Sequence, residues 1–237
     1  MLQKFVQEII SLAKAETFQI NGQTYTDGNL RRVPPHVDRP ESIKLNGLDS
    51  ICKIVRDELH KFSTTIFIQV DDFDHVNVMT SYLEDFSRNH LYSARADVPG
   101  IKKGWRDRET LLIELRSLFI PNEGTGYLLD LLSKMTNENN VSSTDNGVTQ
   151  TVEARQGIAL NAKVQVKPKV ELIPFRTFLE VSQPSSEFLI RVNENGEIGL
   201  FEADGGVWKL EAKRNIMTYL ETALKDLIEA GKIIVMM

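Results

Sequence analysis

The chain has 237 residues, 41% of them hydrophobic and 26% charged, proportions that exclude a disordered or collagen-like protein. One cysteine, Cys52, excludes an internal disulfide framework and a Cys-based zinc site, and fits a reducing compartment. With 28 Lys plus Arg against 33 Asp plus Glu, the net charge of −5 excludes a globally basic nucleic-acid coat.

No apolar run approaches the ~18 residues of a membrane helix, so no membrane partner is expected. The opening stretch has Phe5, Val6, Ile9, Leu12 and Ala13 at helical spacing. Lys4, Glu8 and Lys14 interrupt it as a signal peptide. Thr17–Ile20 and Gln23–Thr26 flank Asn21-Gly22, a pair suited to a type I′ hairpin turn. Residues 27–42 carry Gly28, Pro34, Pro35 and Pro40 and read as an extended, exposed connection.

Leu48, Ile51, Cys52, Val55, Leu59 and Phe62 form the apolar stripe of a helix over about 47–62, with Asn46 as its expected N-cap. Cys52 falls on the buried face, where it acts as a small core hydrophobe rather than a reactive thiol. Strands around 66–70, 76–78 and 91–97 make a meander, and Asp71, Asp72 and Asp74 sit at its first turn. A calcium loop counted from Asp72 would need glycine where Asn77 stands, so a solvated hairpin tip is expected. A basic loop, 98–106, carries Trp105. Two helices follow, the first capped by Asp107 and stopped by Pro121, the second capped by Thr125.

The polar run 136–146 is the expected linker, or a long surface loop, between an α+β region (1–140) and a β-rich region (141–237). One continuous domain is the alternative. Beyond it, Ile158, Leu160, Ala162, Val164 and Val166 alternate with polar residues as a half-buried strand. Shorter strands are expected at 170–173, 175–181, 187–193, 197–203 and 207–211, then a helix over 213–230 and a strand at 233–235. Strands 175–181 and 187–193 should pair with Phe178 opposite Phe188, because the alternative register opposes Arg176 to Arg191 and Glu180 to Glu187. The expected fold is α+β: antiparallel meanders with flanking amphipathic helices, and a C-terminal antiparallel sheet closed by a helix.

The catalytic inventory is negative. His36, His60, His75 and His90 lack the spacing that puts two imidazoles on one helical face. Neither a Gly-x-Ser-x-Gly elbow nor a phosphate-binding Gly-rich Lys-Ser/Thr loop occurs, and Gly124-Thr125-Gly126 lacks the rest of a dinucleotide fingerprint. No cofactor or metal is implied. Arg176, Glu180, Arg191, Glu202, Asp204 and Trp208 form a candidate cluster, read either as an internal Arg–Glu pair around a packed Trp or as a carboxylate site beside an aromatic platform.

Charge is polarised along the chain. Residues 87–108 hold six bases (Arg88, Arg95, Lys102, Lys103, Arg106, Arg108) against two acids, and 155–176 hold five, including Lys163, Lys167 and Lys169, against one. Residues 71–85 carry five acids and no Lys or Arg, and 180–204 carry six acids and only Arg191. Two basic segments with Trp105 suit a phosphate-backbone groove with base stacking, whereas opposed patches suit head-to-tail self-association.

In the C-terminal half, Asp145-Asn146-Gly147-Val148-Thr149-Gln150, Pro174-Phe175-Arg176-Thr177-Phe178-Leu179-Glu180-Val181-Ser182-Gln183-Pro184 and Leu200 to Trp208 resemble the YfdQ-like family of phage and prophage proteins. The resemblance extends back to the helix at Leu48. It implies a viral or prophage origin and action in the host cytoplasm; the family's function is unknown, so it assigns no site residues. The leading expectation is a non-enzymatic, homo-oligomeric binding or assembly protein that sequesters or blocks a host or defence factor. The alternatives are a nucleic-acid-binding accessory of phage DNA metabolism and a metal-dependent enzyme using Glu180, Glu202 and Asp204.

Overall fold

The computed structural model describes residues 4, 6, 7, 17–26, 31–33, 41–83, 86–101, 104–135, 141–145, 150–156 and 159–237. Side chains at 23, 24, 26, 31–33, 141–145, 150–156 and 159–165 are not described. Most of the expected N-terminal helix, most of the proline-rich arm and residues 136–140 and 146 of the expected linker lie outside the described residues, while residues 141–145 of that linker are a strand paired with the next one rather than a loop.

β1 (Thr17–Ile20) and β2 (Gln23–Thr26) form the expected hairpin, with Asn21 at φ 52° and Gly22 at φ 77°, as a type I′ turn requires. β3 (Arg31–Val33) pairs with β2, so this part of the proline-rich stretch is a strand rather than a free connection.

β4 (Ile43–Leu45) leads into α1 (Leu48–Glu58), whose last turn tightens into a 3₁₀ turn over Leu59–Lys61. β5 (Ile66–Asp72), β6 (His75–Thr80) and β7 (His90–Arg95) make the meander. Next come β8 (Trp105–Arg106), α2 (Arg108–Ser117), β9 (Phe119–Ile120) and α3 (Glu123–Lys134). β10 (Val141–Asp145), β11 (Gln150–Gln156) and β12 (Ala159–Val166) form their own antiparallel sheet. β13 (Lys169–Pro174), β14 (Ser186–Val192) and β15 (Ile198–Glu202) follow, then α4 (Val207–Ala223), α5 (Lys225–Glu229) and β16 (Ile233–Met236).

The class is α+β. One five-stranded sheet runs β16-β5-β6-β7-β4, the other β8-β15-β14-β13-β9, so each takes strands from both halves of the chain. The second sheet is wholly antiparallel, whereas β16 and β4 join the first in parallel. The stripe of α1 (Leu48, Ile51, Cys52, Val55) and Ile216, Leu220 and Leu224 of the C-terminal helices pack on Ile66, Ile68 and Val70. A second core sets Leu111, Leu115, Leu128 and Leu132 of α2 and α3 against Leu172, Phe188, Ile190 and Ile198. Gly124 is required there because a Cβ at that position would stand 2.0 Å from the Glu171 carbonyl oxygen of β13.

Two expected strands are absent. Residues 175–181 are not a strand, and it is β13 that pairs with β14, with Glu171 opposite Glu187 and Phe178 opposite nothing. The side chain of Gln183 satisfies the backbone that a ladder would have used. Its Oε1 accepts from the amides of Arg176 (2.9 Å) and Thr177 (3.1 Å), and its Nε2 donates to the Phe178 carbonyl (2.9 Å). Lys169 Nζ, 2.6 Å from Glu187, offsets the opposed carboxylates. Residues 207–211 begin α4 instead of a strand, because Gly205 (φ 64°) and Gly206 (φ 83°) turn the chain out of β15.

Two caps also differ. Asn122, not Thr125, caps α3, and Thr125 closes a reciprocal capping box as its third helical residue. α1 begins after Gly47 rather than Asn46, and its cap comes from far along the chain, as shown below. Asp107 caps α2 as expected, accepting from the Thr110 amide at 2.9 Å.

Burial, with the Asp49 and Glu180 carboxylates nearby, pushes the Cys52 thiol up to about 11. A thiol reagent at pH 8 is therefore expected to modify the unfolded chain at least about tenfold faster than the native protein. Equal rates would contradict the buried placement.

Candidate functional site

The C-terminal cluster forms around Arg176, 6% exposed, in the segment that leaves β13. Its Nη1 donates to Glu202 Oε1 at 2.8 Å, and its Nη2 donates to the Pro184 carbonyl at 3.2 Å and to the Ser186 hydroxyl. The guanidinium carbon lies 3.8 Å from the centroid of the Trp208 ring, a cation–π contact out of water. Burial draws the Arg176 pKa down to about 10, opposed by the charges of Glu202 and Asp204, so it stays cationic at neutral pH. The Ser186 hydroxyl donates to Asp204 Oδ2 at 2.7 Å, and Asp204 Oδ1 accepts from the Gly206 amide at 3.0 Å, fixing the turn into α4.

The same segment reaches the first core. Phe178 is buried there, the Thr177 hydroxyl donates to the Phe73 carbonyl of the β5–β6 turn, and Phe73 packs edge-on to Trp208 with ring centroids 4.8 Å apart. Glu180 caps α1: its Oε1 accepts from the amides of Leu48 (2.7 Å) and Asp49 (3.4 Å). Gly47 leaves room for that carboxylate, since a Cβ there would meet Oε1 at 2.5 Å.

Glu180, Glu202 and Asp204 are thus committed to three different partners. Among the described residues, no group of three or more His, Cys, Asp or Glu side chains is placed to hold a metal ion. A cavity of about 320 Å³ adjoins the cluster, lined among others by Trp208, Ser186, Asp204, Glu171, Glu187 and Glu211. A second, of about 450 Å³, lies across β13 beside Tyr127, Lys167 and Lys169.

Asp204 supplies a pH test. Burial pushes its carboxyl up, but the Ser186 hydroxyl, the Gly206 amide and Arg176 together outweigh that and hold it below its ordinary value. A depressed carboxyl pKa stabilises the fold above the unfolded pKa of about 4, and that contribution disappears as pH falls through the folded value. The stability gap between the native protein and Asp204→Asn, followed by urea unfolding, is therefore expected to shrink below about pH 4. A gap constant from pH 7 to pH 2 would contradict it.

The basic segments divide between the two sheets. Arg88 and Arg95 belong to the first: the Arg88 guanidinium stacks over Tyr82 (4.3 Å) and Phe67 (4.9 Å), and Arg95 pairs with Asp74 at 3.2 Å. In the second, Arg106 is buried against Glu114 at 2.5 Å, and Arg108 donates to the Leu132 carbonyl at 2.8 Å. Lys169 is paired with Glu187, and Lys167 Nζ lies 4.8 Å from the Tyr127 ring centroid. Lys163 lies opposite Glu153 in the β11–β12 register, and Lys102 and Lys103 lie outside the described residues.

Trp105 and Arg191 stand apart from these pairs, on the outward face of the second sheet. Sequence reading singled out both but missed Phe201 and Gly199 beside them, although 199 and 201 share a parity that puts them on one face of a strand. A scan against protein-family models finds no match, and searches of the curated proteins and the solved structures find none either.

Proposed function

We propose that the chain is a non-enzymatic binding and assembly protein that associates with copies of itself. The observation that carries this reading is the first sheet, whose outer strands β4 and β16 have no further strand paired to them among the described residues. Unpaired backbone on a sheet edge is a template for another chain. Both edges add an exposed isoleucine, Ile43 at 47% and Ile234 at 48%. β4 runs parallel to β7 and β16 parallel to β5, while β6 is antiparallel to both, so β4 and β16 point the same way. β4 of one copy would therefore continue the sheet beside β16 of the next, a head-to-tail contact of the kind that builds a ring where the rotation between copies closes.

The candidate carboxylates support the same reading, because each is spent on a structural partner. The likeness to YfdQ-like proteins adds a phage or prophage origin, the host cytoplasm as the place of action, and sequestration of a host or defence factor as the role. No helix among the described residues is long and apolar enough to cross a membrane. Light scattering on a sizing column tests the assembly: Ile234→Lys is expected to reduce a multimer to the 26.9 kDa chain. An unchanged multimer in both Ile234→Lys and Ile43→Lys would overturn the edge contact.

A further inference from the structure

Across β14, β15 and β8, Arg191 lies opposite Gly199, and Gly199 opposite Trp105, so the three share one face of the second sheet. In the next row Phe201 lies opposite Leu189. Gly199 has no side chain to cover the strand, and the Phe201 and Trp105 rings lean over it. A Cβ there would meet the Phe201 ring at 2.5 Å and the Trp105 ring at 3.1 Å. The rings meet edge to face with centroids 5.6 Å apart, yet Trp105 is 45% and Phe201 38% exposed. Two aromatic rings are thus held in fixed geometry with much of their surface in water.

Beside them, Arg191 has no ion-pair partner among the described residues, and its Nη1 is buried without any hydrogen bond. This reverses what the sequence suggests. Residues 180–204 read as acidic, but five of the six acids are engaged: Glu180 on the α1 amides, Glu187 on Lys169, Glu197 on Asn193, Glu202 on Arg176 and Asp204 on Ser186, which leaves Glu194 in the exposed turn after β14. The one base of the stretch is left over.

We propose that this face binds single-stranded nucleic acid, with bases stacked on Trp105 and Phe201 and a backbone phosphate held by Arg191. Stacking accepts any base because each has a π-face, and a guanidinium N–H left outside the buried Nη1 gives a charge-assisted hydrogen bond to a phosphate oxygen. The exposed faces of both rings are open to unpaired bases, which a duplex keeps inside its stack. The site stands whether the chain is a monomer or an assembly.

The full chain contains two tryptophans, and the buried one, Trp208, is a built-in control. Titration with a 15-nucleotide oligothymidylate at low salt is expected to quench Trp105 emission, with an affinity that falls linearly in log–log form as salt rises. Trp105→Ala should remove the quenching and weaken binding, read by anisotropy of the labelled strand, about tenfold or more. Arg191→Gln should weaken binding while changing the thermal midpoint little, because no ion pair holds Arg191 among the described residues. The proposal is overturned by absence of binding at low salt, by wild-type affinity in both variants, or by a duplex of equal length binding as tightly. Equal competition by an oligoglutamate peptide would also overturn it, and would identify the face as a contact for acidic protein segments.

Discussion

Phe178→Ala is expected to lower stability by about 3–5 kcal/mol in urea unfolding, the range for deleting a buried phenylalanine. Phe178 is 1% exposed and lies in the first core among Leu48, Ile51 and Ile216. It belongs to no strand; Gln183 and the Thr177–Phe73 bond hold its segment in place. The cavity left by alanine is lined by α1 and α4, which cannot close without shifting the strands beneath them. The loss also loosens Glu180, so the first turn of α1 should lose amide protection alongside the global effect. A loss below about 1 kcal/mol would show that the segment rests on the surface rather than in the core.

Arg176→Ala should cost about 3 kcal/mol, because it breaks a buried pair and leaves polar partners without a donor. Ser186, the Pro184 carbonyl and Glu202 all lose their contact, and Trp208 loses the cation on its face. Glu202→Gln should cost much less, since its side chain is 37% exposed and the neutral amide still accepts from Nη1. If the two substitutions cost the same, the Glu202 charge would carry the junction and the multiple bonds of Arg176 would not. Thermal melts of both variants decide between these outcomes.

The parts legible in the sequence were those with local causes. The Asn21-Gly22 turn, the stripe of α1 and the β5–β6–β7 meander follow from periodicity and turn chemistry within a dozen residues. The segment 175–181 alternates like a strand, but its backbone partner is the side chain of Gln183, and nothing in the alternation signals that. Glu180 caps a helix 132 residues away, a contact that no local capping pattern encodes. α4 starts early because two left-handed glycines redirect the chain, although Val207-Trp208 reads as strand.

For the candidate site, composition located the charged residues but not their partners. Arg106 and Arg176 are hydrogen-bonded in the interior. Arg191, the lone base of an acidic stretch, has no ion pair among the described residues. Pairing decides this, and pairing is fixed only when β13, β14 and β15 come into register.

The native mass at micromolar concentration tests the central claim most directly. Self-association through the open edges of the first sheet predicts a discrete multiple of 26.9 kDa, reduced to one copy by Ile234→Lys. A single 26.9 kDa species across the whole concentration range would contradict it.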